Sequence, residues 1–200
     1  MLRRTLSLGL NSSFIEVYDN ALSQKDCDIL INQFEKSEIV EGCTEIGYHP
    51  ELKKCLQLDN PQFSDQNPIS NIVKPVLMGC LAKYYNKYRD VLGITPRWKI
   101  DTGYSFQKYE REDDGYKAWH CEHGPSDISY KRIMVWMFYL NDAKSGTEFM
   151  HFPTINPKKG RLVIWPPGWE YTHRGVTPNK GLKYIATGWC SYVTDGDDSK

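Results

Sequence analysis

The first half of the chain carries apolar residues at helical spacing in two stretches. The first, residues 23–37, begins at Ser23, which is a favourable N-cap residue, and the second spans residues 69–92. Pro75 lies inside the second stretch, so we expect it to kink this helix or to separate its first turn. The rest of this half is predicted to be a short strand over 14–18 and a polar loop over 43–66.

The second half of the chain alternates short apolar runs with turn residues. The run IMVWMFYL (133–140) is apolar throughout, as expected of a strand that is covered on both faces. Many short strands separated by turn residues are typical of a barrel or a sandwich. The predicted strands are RWKI, YSFQKY, IMVWMFYL, TEFMHF, GRLVIW and KYIATGW.

The composition of the 200 residues restricts the function classes. A hydrophobic content of 40% and an aromatic content of 13% are typical of a folded single domain. Lys+Arg and Asp+Glu both count 25, so the chain has no overall basic charge for nucleic acid, and no apolar run is long enough to span a membrane. The six cysteines lack CxxC spacing and are expected to be reduced, mostly buried thiols, which favours a cytoplasmic location.

One hexapeptide, WHCEHG (119–124), concentrates side chains that bind metals. Residues alternate between the two faces of a strand, so His120 and Glu122 are expected to point the same way, and Cys121 the other way as a packed thiol. A third ligand must come from elsewhere, and His173 follows the predicted strand RLVIW and a proline turn. Two imidazoles and one carboxylate form the facial set that binds non-haem Fe(II) and leaves coordination positions open.

Five further segments occur in a fixed order around these residues. They are YLND (139–142), GTEF (146–149), PKKGRLVIWPPG (157–168), THRGV (172–176) and KYIATGW (183–189). Their order resembles the 2-oxoglutarate- and Fe(II)-dependent dioxygenases, specifically the prolyl 4-hydroxylase-like branch, from about Tyr104 to Tyr192. The segment FIEVYDNALSQKDCDILI is similar to the N-terminal strand and helix of that branch.

The resemblance implies a mainly β fold with flanking helices. The expected architecture is a double-stranded β-helix, of the jelly-roll or cupin-like kind, with N-terminal helices packed on one sheet. Residues 1–200 would form a single domain. Within it, residues 1–96 would supply the N-terminal strand and supporting helices, 97–193 the double-stranded β-helix catalytic core, and 194–200 a disordered acidic tail.

The resemblance also implies roles for individual residues. His120, Glu122 and His173 would bind the iron as the catalytic residues, and Lys183, ten positions after His173, would bind the far carboxylate of 2-oxoglutarate. The family usually has HxD where this chain has HxE. Because the side chain of Glu122 is one methylene longer than that of aspartate, we expect iron binding to be retained with the carboxylate in a shifted position. The other cosubstrate-binding residues implied are Tyr109, Tyr139, Thr187 and Trp189.

The implied reaction is hydroxylation of an unactivated C–H bond. Fe(II) would be the cofactor, and 2-oxoglutarate and O2 would be the cosubstrates. Whether the enzyme also requires ascorbate is open. A prolyl residue in a peptide or protein is the expected substrate, and a free amino acid or small metabolite is the alternative. Neither nucleic acid nor a membrane is expected as a partner, and the oligomeric state is open.

The sequence fits two other classes of protein less well. A non-catalytic metal-binding or ligand-binding β-sandwich module would not need His173 and Lys183 at the ten-residue spacing of the family. Zinc-dependent base deaminases also carry HxE, but they need a PCxxC pair to complete the zinc site, and the sequence contains none.

Overall fold

The fold consists mainly of β-strands, accompanied by two helices and a short third one. The structure is a computed structural model that describes residues 13–44, 46–111, 113–176 and 181–194. The predicted tail, apart from its first residue, lies outside the described residues. Within them the helices are α1 (Gln24–Glu35), α2 (Pro68–Lys87) and α3 (Arg89–Leu92). The strands are β1 (Glu16–Tyr18), β2 (Ile39–Glu41), β3 (Lys53–Lys54), β4 (Leu56–Leu58), β5 (Trp98–Tyr109), β6 (Gly115–Tyr116), β7 (Arg132–Tyr139), β8 (Thr147–Phe149), β9 (Arg161–Trp165), β10 (His173–Gly175) and β11 (Lys183–Tyr192).

Helix α1 begins where the sequence predicts. The Ser23 hydroxyl accepts a hydrogen bond from the backbone N–H of Asp26 at 3.1 Å, which satisfies one of the free donors of the first turn. The apolar face of the helix buries Cys27, Leu30 and Phe34 in the same core as the sheet residues. The amphipathic pattern therefore fixes α1 against the sheet.

Helix α2 continues through Pro75, so the prediction of a separated first turn is wrong. Pro75 lies on the exposed face of the helix, where water can hydrate the Asn71 carbonyl that loses its partner. The break in the helical segment lies instead at Tyr88, between α2 and α3.

The segment 43–66, predicted as a loop, contains β3 and β4, so that prediction is wrong in part. Strand β4 pairs with β2 and β5, and β3 pairs with β6. Strands of two or three residues are too short to show alternation of apolar and polar residues, which is why the sequence does not reveal them. The hairpin between β2 and β4 brings residues of the N-terminal half to the strands that surround the site.

The strands form one large antiparallel sheet and two small ones. The seven-stranded sheet has the order β1-β9-β7-β11-β5-β4-β2, and the two-stranded sheets are β10-β8 and β3-β6. Strand β5 joins two predicted runs, RWKI and YSFQKY, into one strand of 12 residues. Strand β10 also lies against β6, which joins the small sheets into a second layer.

The two faces of the large sheet have different partners, and β7 shows this most clearly. As predicted, β7 is covered on both faces. One face packs on α1 and α2, and the other packs with residues of the small sheet around the functional site. The helix-facing residues of β7 are Met134, Trp136 and Phe138, and the opposite face presents Val135, Met137 and Tyr139.

The cysteines are free thiols, as the sequence predicts, and four of the six are buried. Cys43 is exposed and Cys121 is partly exposed. Among the described residues, no helix has both the length and the apolar character that a membrane span requires.

Candidate active site

The backbones of His120 and His173 are bridged by two hydrogen bonds. The His120 N–H donates to the His173 carbonyl at 3.0 Å, and the His173 N–H donates to the His120 carbonyl at 2.9 Å. His173 begins β10, but the segment around His120 is a loop with this single bridge, so the prediction of a strand over WHCEHG is wrong. Hydrogen bonds from the N–H groups of Glu122 and His123 to the Pro167 carbonyl, at 3.0 and 3.1 Å, hold the loop instead.

The side chains of His120, Glu122 and His173 converge despite the irregular backbone. Their ligand atoms all lie within 4.8 Å of one another. Glu122 Oε1 lies 3.6 Å from His173 Nε2 and 3.8 Å from His120 Nε2. Within the described part of the chain, this is the one cluster of three or more His, Cys, Asp or Glu side chains that could hold a metal ion.

Hydrogen bonds to the backbone orient both imidazoles. His120 Nδ1 lies 2.9 Å from the Ala118 carbonyl, and His173 Nδ1 lies 2.9 Å from the Tyr171 carbonyl. A carbonyl accepts only, so each Nδ1 carries the hydrogen and each Nε2 presents its lone pair to the cluster. Tyr116 stacks on His120 with ring centroids 3.6 Å apart, which fixes that ring further.

The charge states of the cluster suit a divalent cation. Burial, together with the nearby His173, lowers the pKa of His120 to about 4, so the imidazole is neutral at pH 7. Burial alone would raise the pKa of Glu122, but its contact with His173 and the charges around it lower that pKa to about 2. A neutral His120 imidazole and an ionised Glu122 carboxylate are protonation states in which these side chains bind a metal.

All of the predicted site residues line one cavity of about 350 Å³. They are contributed by β5, β7, β10, β11 and the loop after β6. The predicted residues on its wall are Tyr109, His120, Glu122, Tyr139, His173, Lys183, Thr187 and Trp189.

Lys183 supplies a buried cation to the cavity. It is 3% exposed, and its ammonium lies 4.5 Å from the centre of the Tyr109 ring. Burial lowers the pKa of this ammonium to about 8. No carboxylate of the described residues forms a salt bridge with it. A buried ammonium without a protein counterion is a favourable partner for the carboxylate of a ligand.

The hydroxyl groups in the cavity already have partners in the protein. The Tyr109 hydroxyl donates to Gln107, and the Thr187 hydroxyl donates to the Trp136 carbonyl at 2.8 Å. The Tyr139 hydroxyl meets Thr147 Oγ1 at 2.7 Å. A contact from any of these hydroxyls to a cosubstrate therefore requires a rotation that exchanges one hydrogen bond for another.

Sequence reasoning missed Arg132, which approaches Glu122, and the buried Lys53, and it placed Trp189 on the cavity wall without its contact to Glu122. Arg132 and Trp189 both donate to Glu122 Oε2, at 3.2 and 2.8 Å. Lys53, 6% exposed, lines the cavity and donates to the Cys43 carbonyl and to Gln57. No local signal could have found Lys53 and Arg132, because Lys53 lies in a segment predicted as a loop and Arg132 reaches Glu122 only when the intervening loop folds back on β7.

Cys121 differs from its predicted place. It is not a packed thiol: it is partly exposed, lines the cavity and lies 3.4 Å from the His123 carbonyl through its Sγ atom. Its Sγ atom does not belong to the cluster formed by His120, Glu122 and His173.

The chain is similar to known proteins both in a family model and in solved structures. Residues 104–191 match the family model of the 2OG-Fe(II) oxygenase superfamily. No curated protein matches the chain by sequence. Similar solved structures include the viral collagen prolyl hydroxylase of Paramecium Bursaria Chlorella virus-1 in its 2OG complex, with 20% identity, a TM-score of 0.68, and coverage of 91% of this chain and 98% of that one.

Two further solved structures share the fold. A prolyl-4-hydroxylase of Pseudomonas putida is 14% identical with a TM-score of 0.64, covering 92% of this chain and 95% of that one. A prolyl hydroxylase of Trichoplax adhaerens, in complex with a peptide fragment of the hypoxia inducible factor oxygen degradation domain, is 14% identical with a TM-score of 0.68, covering 91% and 85%. The predicted double-stranded β-helix is therefore confirmed.

Proposed function

Because residues 104–191 match the family model of the 2OG-Fe(II) oxygenase superfamily, we propose that this protein hydroxylates a prolyl residue in a peptide or protein. The match of residues 104–191 supports the enzyme class predicted from the sequence, a 2-oxoglutarate-dependent dioxygenase. The prolyl 4-hydroxylase-like branch is part of the proposal, and the fold shared with solved prolyl hydroxylases supports it. Its cofactor is Fe(II), and 2-oxoglutarate and O2 are its cosubstrates.

His120, Glu122 and His173 hold the iron in this proposal. The observation that carries it is the convergence of their three ligand atoms within 4.8 Å on the wall of a cavity that also contains Lys183. Two nitrogen donors and one carboxylate oxygen are the set that suits non-haem Fe(II). Bound Fe(II) supplies the oxidative chemistry, in which 2-oxoglutarate is decarboxylated and an unactivated C–H bond is hydroxylated.

The remaining side chains bind and orient the cosubstrate. Lys183 pairs its buried ammonium with the far carboxylate of 2-oxoglutarate, which restores the charge state that burial disfavours. Tyr109 lies against that ammonium and keeps it in place. Tyr139 and Thr187 line the same cavity, and Trp189 closes it next to Glu122. Enclosure of the cosubstrate by these side chains keeps water from the reacting groups.

A peptide substrate is supported by the surface next to the site. Large apolar side chains are exposed on the segments that carry the metal-binding residues: Trp119 directly precedes His120, Ile128 and Tyr130 follow Glu122, and Trp169 lies just before His173. Exposed apolar and aromatic side chains on the segments that carry site residues are typical of a surface that binds another chain. The Trichoplax prolyl hydroxylase, which shares this fold, is solved with a peptide fragment.

A free amino acid is the second candidate substrate, and Lys53 is the observation that favours it. Its buried ammonium lines the cavity and donates to two uncharged acceptors, the Cys43 carbonyl and Gln57. Such a cation could bind the carboxylate of a free amino acid, which a residue inside a peptide does not have.

Mass spectrometry of candidate substrates tests the proposal. The Fe(II)-loaded protein is incubated with 2-oxoglutarate, O2 and either proline-containing peptides or free proline, and each substrate is examined for the gain of one oxygen atom. Proline-containing peptides should gain oxygen, whereas matched peptides with alanine in place of proline and reactions with Glu122→Ala should not. The prolyl assignment is wrong if 2-oxoglutarate is turned over while proline in every form stays unmodified.

The Lys53→Met variant separates the two substrates. If the substrate is a peptide, this variant should keep its KM for the peptide, because no free carboxylate needs the ammonium. Oxygen gain on free proline alone, with a KM that rises in Lys53→Met, would replace the peptide proposal by the amino-acid one.

A further inference from the structure

Glu122 is held on one side by two donors from the large sheet. Arg132 Nη1 donates to Glu122 Oε2 at 3.2 Å and to the Glu122 carbonyl at 2.9 Å, and Trp189 Nε1 donates to the same Oε2 at 2.8 Å. The Arg132 guanidinium also lies 4.0 Å from the centre of the Trp189 ring, so the two donors fix each other by stacking. Both side chains come from the paired strands β7 and β11.

The two carboxylate oxygens of Glu122 therefore have different environments. Oε2 accepts from Arg132 and Trp189, whereas Oε1 faces the two imidazole Nε2 atoms at 3.6 and 3.8 Å. A glutamate has one more rotatable bond than an aspartate, so an unsupported carboxylate at this position could turn either oxygen, or both, toward the metal or away from it. Two donors on Oε2 remove this freedom.

We propose that Arg132 and Trp189 are positioning residues that make a glutamate work as the carboxylate ligand, by holding Oε2 so that Oε1 alone faces the metal. This inference rests on the proposed iron site and adds two residues to it. Hydrogen bonds from outside the ligand set commonly orient metal-binding carboxylates and strengthen metal binding. The two donors are placed for the longer arm of Glu122, so their effect should depend on that arm.

The test is the affinity of the protein for Mn(II), measured by calorimetry with the metal alone, without cosubstrate or turnover. Trp189→Phe keeps the aromatic wall but removes the donor, and Arg132→Lys keeps the charge but removes the planar guanidinium. Each should weaken Mn(II) binding roughly tenfold. Trp165→Phe is the matched control, because the indole of Trp165 lines the same cavity and its buried Nε1 has no hydrogen-bond partner among the described residues. This variant should bind Mn(II) within about twofold of the unchanged protein, since no hydrogen bond is lost.

A double-mutant cycle with Glu122→Asp separates positioning from simple packing. The shorter arm cannot reach the donors and the cluster together, so Glu122→Asp should itself weaken Mn(II) binding. Adding Trp189→Phe to the Glu122→Asp variant should then weaken binding by less than about twofold. Equal losses with and without Glu122→Asp, or no loss in Trp189→Phe and Arg132→Lys, would overturn the inference. Thermal unfolding of the metal-free variants confirms that they are folded.

The proposed function and this inference can fail separately. If the unchanged protein binds no Mn(II) or Fe(II), the proposed iron site is wrong, and the positioning role falls with it. If the unchanged protein binds metal and the Trp189 and Arg132 variants bind it equally well, only the positioning role is wrong.

Discussion

The backbones of His120 and His173 exchange two hydrogen bonds, each N–H donating to the carbonyl of the other residue at 3.0 and 2.9 Å. This exchange places the two imidazole rings 4.4 Å apart between centroids, although the residues are far apart in sequence. It also explains how the HxE segment can contribute two side chains to one cluster without being a strand. The cluster is set by the pairing of this loop with β10 rather than by alternation along a strand.

The first prediction concerns the proposed ligands. Glu122→Ala or His173→Ala should reduce Fe(II) binding below detection, because each removes one of three donors from a site that has no spare donor in the cluster. Anaerobic calorimetry with Fe(II) measures the loss. Cys121→Ala is the control and should bind Fe(II) like the unchanged protein, because its Sγ atom lies outside the cluster. Loss of binding in Cys121→Ala, with binding retained in Glu122→Ala, would mean that the ligand assignment is wrong.

The second prediction follows from the buried ammonium of Lys183. Its pKa falls from 10.5 to about 8 in the folded protein because of burial, so folding is opposed by the charged ammonium at pH values below about 8. Between about pH 8 and 10.5 the folded protein releases this proton while the unfolded chain keeps it, so stability rises through that window. The full effect on the free energy of unfolding is on the order of 3 kcal/mol.

Urea unfolding of the metal-free protein and of Lys183→Met, at several pH values from 7 to 10, measures this effect. The variant should be the more stable protein at pH 7, and its advantage should shrink as the pH rises, since only the unchanged protein gains stability from Lys183. Comparing the two chains removes the contribution of the tyrosines, which both proteins share. A stability difference that stays constant across this pH range would show that Lys183 is not a buried cation.

The third prediction concerns Gly188, which lies between Thr187 and Trp189 in β11. A Cβ atom at this position would lie 2.4 Å from Cζ2 of Trp136, a fully buried side chain of the helix-facing core. Gly188→Ala should therefore lower the free energy of unfolding by about 1–3 kcal/mol, because the indole must move within a packed core. Urea denaturation measures the change.

Gly79→Ala is the matched control for this substitution. Gly79 lies inside α2, and a Cβ atom there would meet nothing within 4 Å. Alanine should stabilise the protein by about 0.5–1 kcal/mol at this position, because it favours the helix more than glycine does. A Gly188→Ala protein that is as stable as Gly79→Ala would contradict the close packing of β11 against Trp136.

Much of the fold could be predicted from the sequence. The capped helix α1 and the strands β7, β9 and β11 have patterns long enough to be recognised, and they form three adjacent strands of the large sheet and part of its helical cover. The convergence of His120, Glu122 and His173 was also expected, although the strand invoked to explain it does not exist.

The missed features depend on contacts between distant residues. Strands β3 and β4 are too short to carry a periodic signal, and their partners lie elsewhere in the chain: β3 pairs with β6, and β4 pairs with β2 and β5. The hydrogen bonds to Glu122 also depend on tertiary contacts. The sequence predicts that Trp189 lines the pocket, but its hydrogen bond to Glu122 Oε2 forms only when the loop after β6 lies against β11. Arg132 is one residue of a strand with no local feature that marks it.

In the proposed function, one cavity binds both Fe(II) and 2-oxoglutarate. His120, Glu122 and His173 bind the Fe(II), and Lys183 binds the 2-oxoglutarate. The most direct test is an anaerobic titration of 2-oxoglutarate into the Fe(II)-loaded protein, followed by the weak visible charge-transfer absorption of the chelate. The absorption should appear and saturate, and in Lys183→Ala the titration should need about tenfold or more 2-oxoglutarate, since a charged hydrogen bond contributes roughly 1.5–3 kcal/mol. No absorption with iron demonstrably bound, or an unchanged titration in Lys183→Ala, would contradict the account.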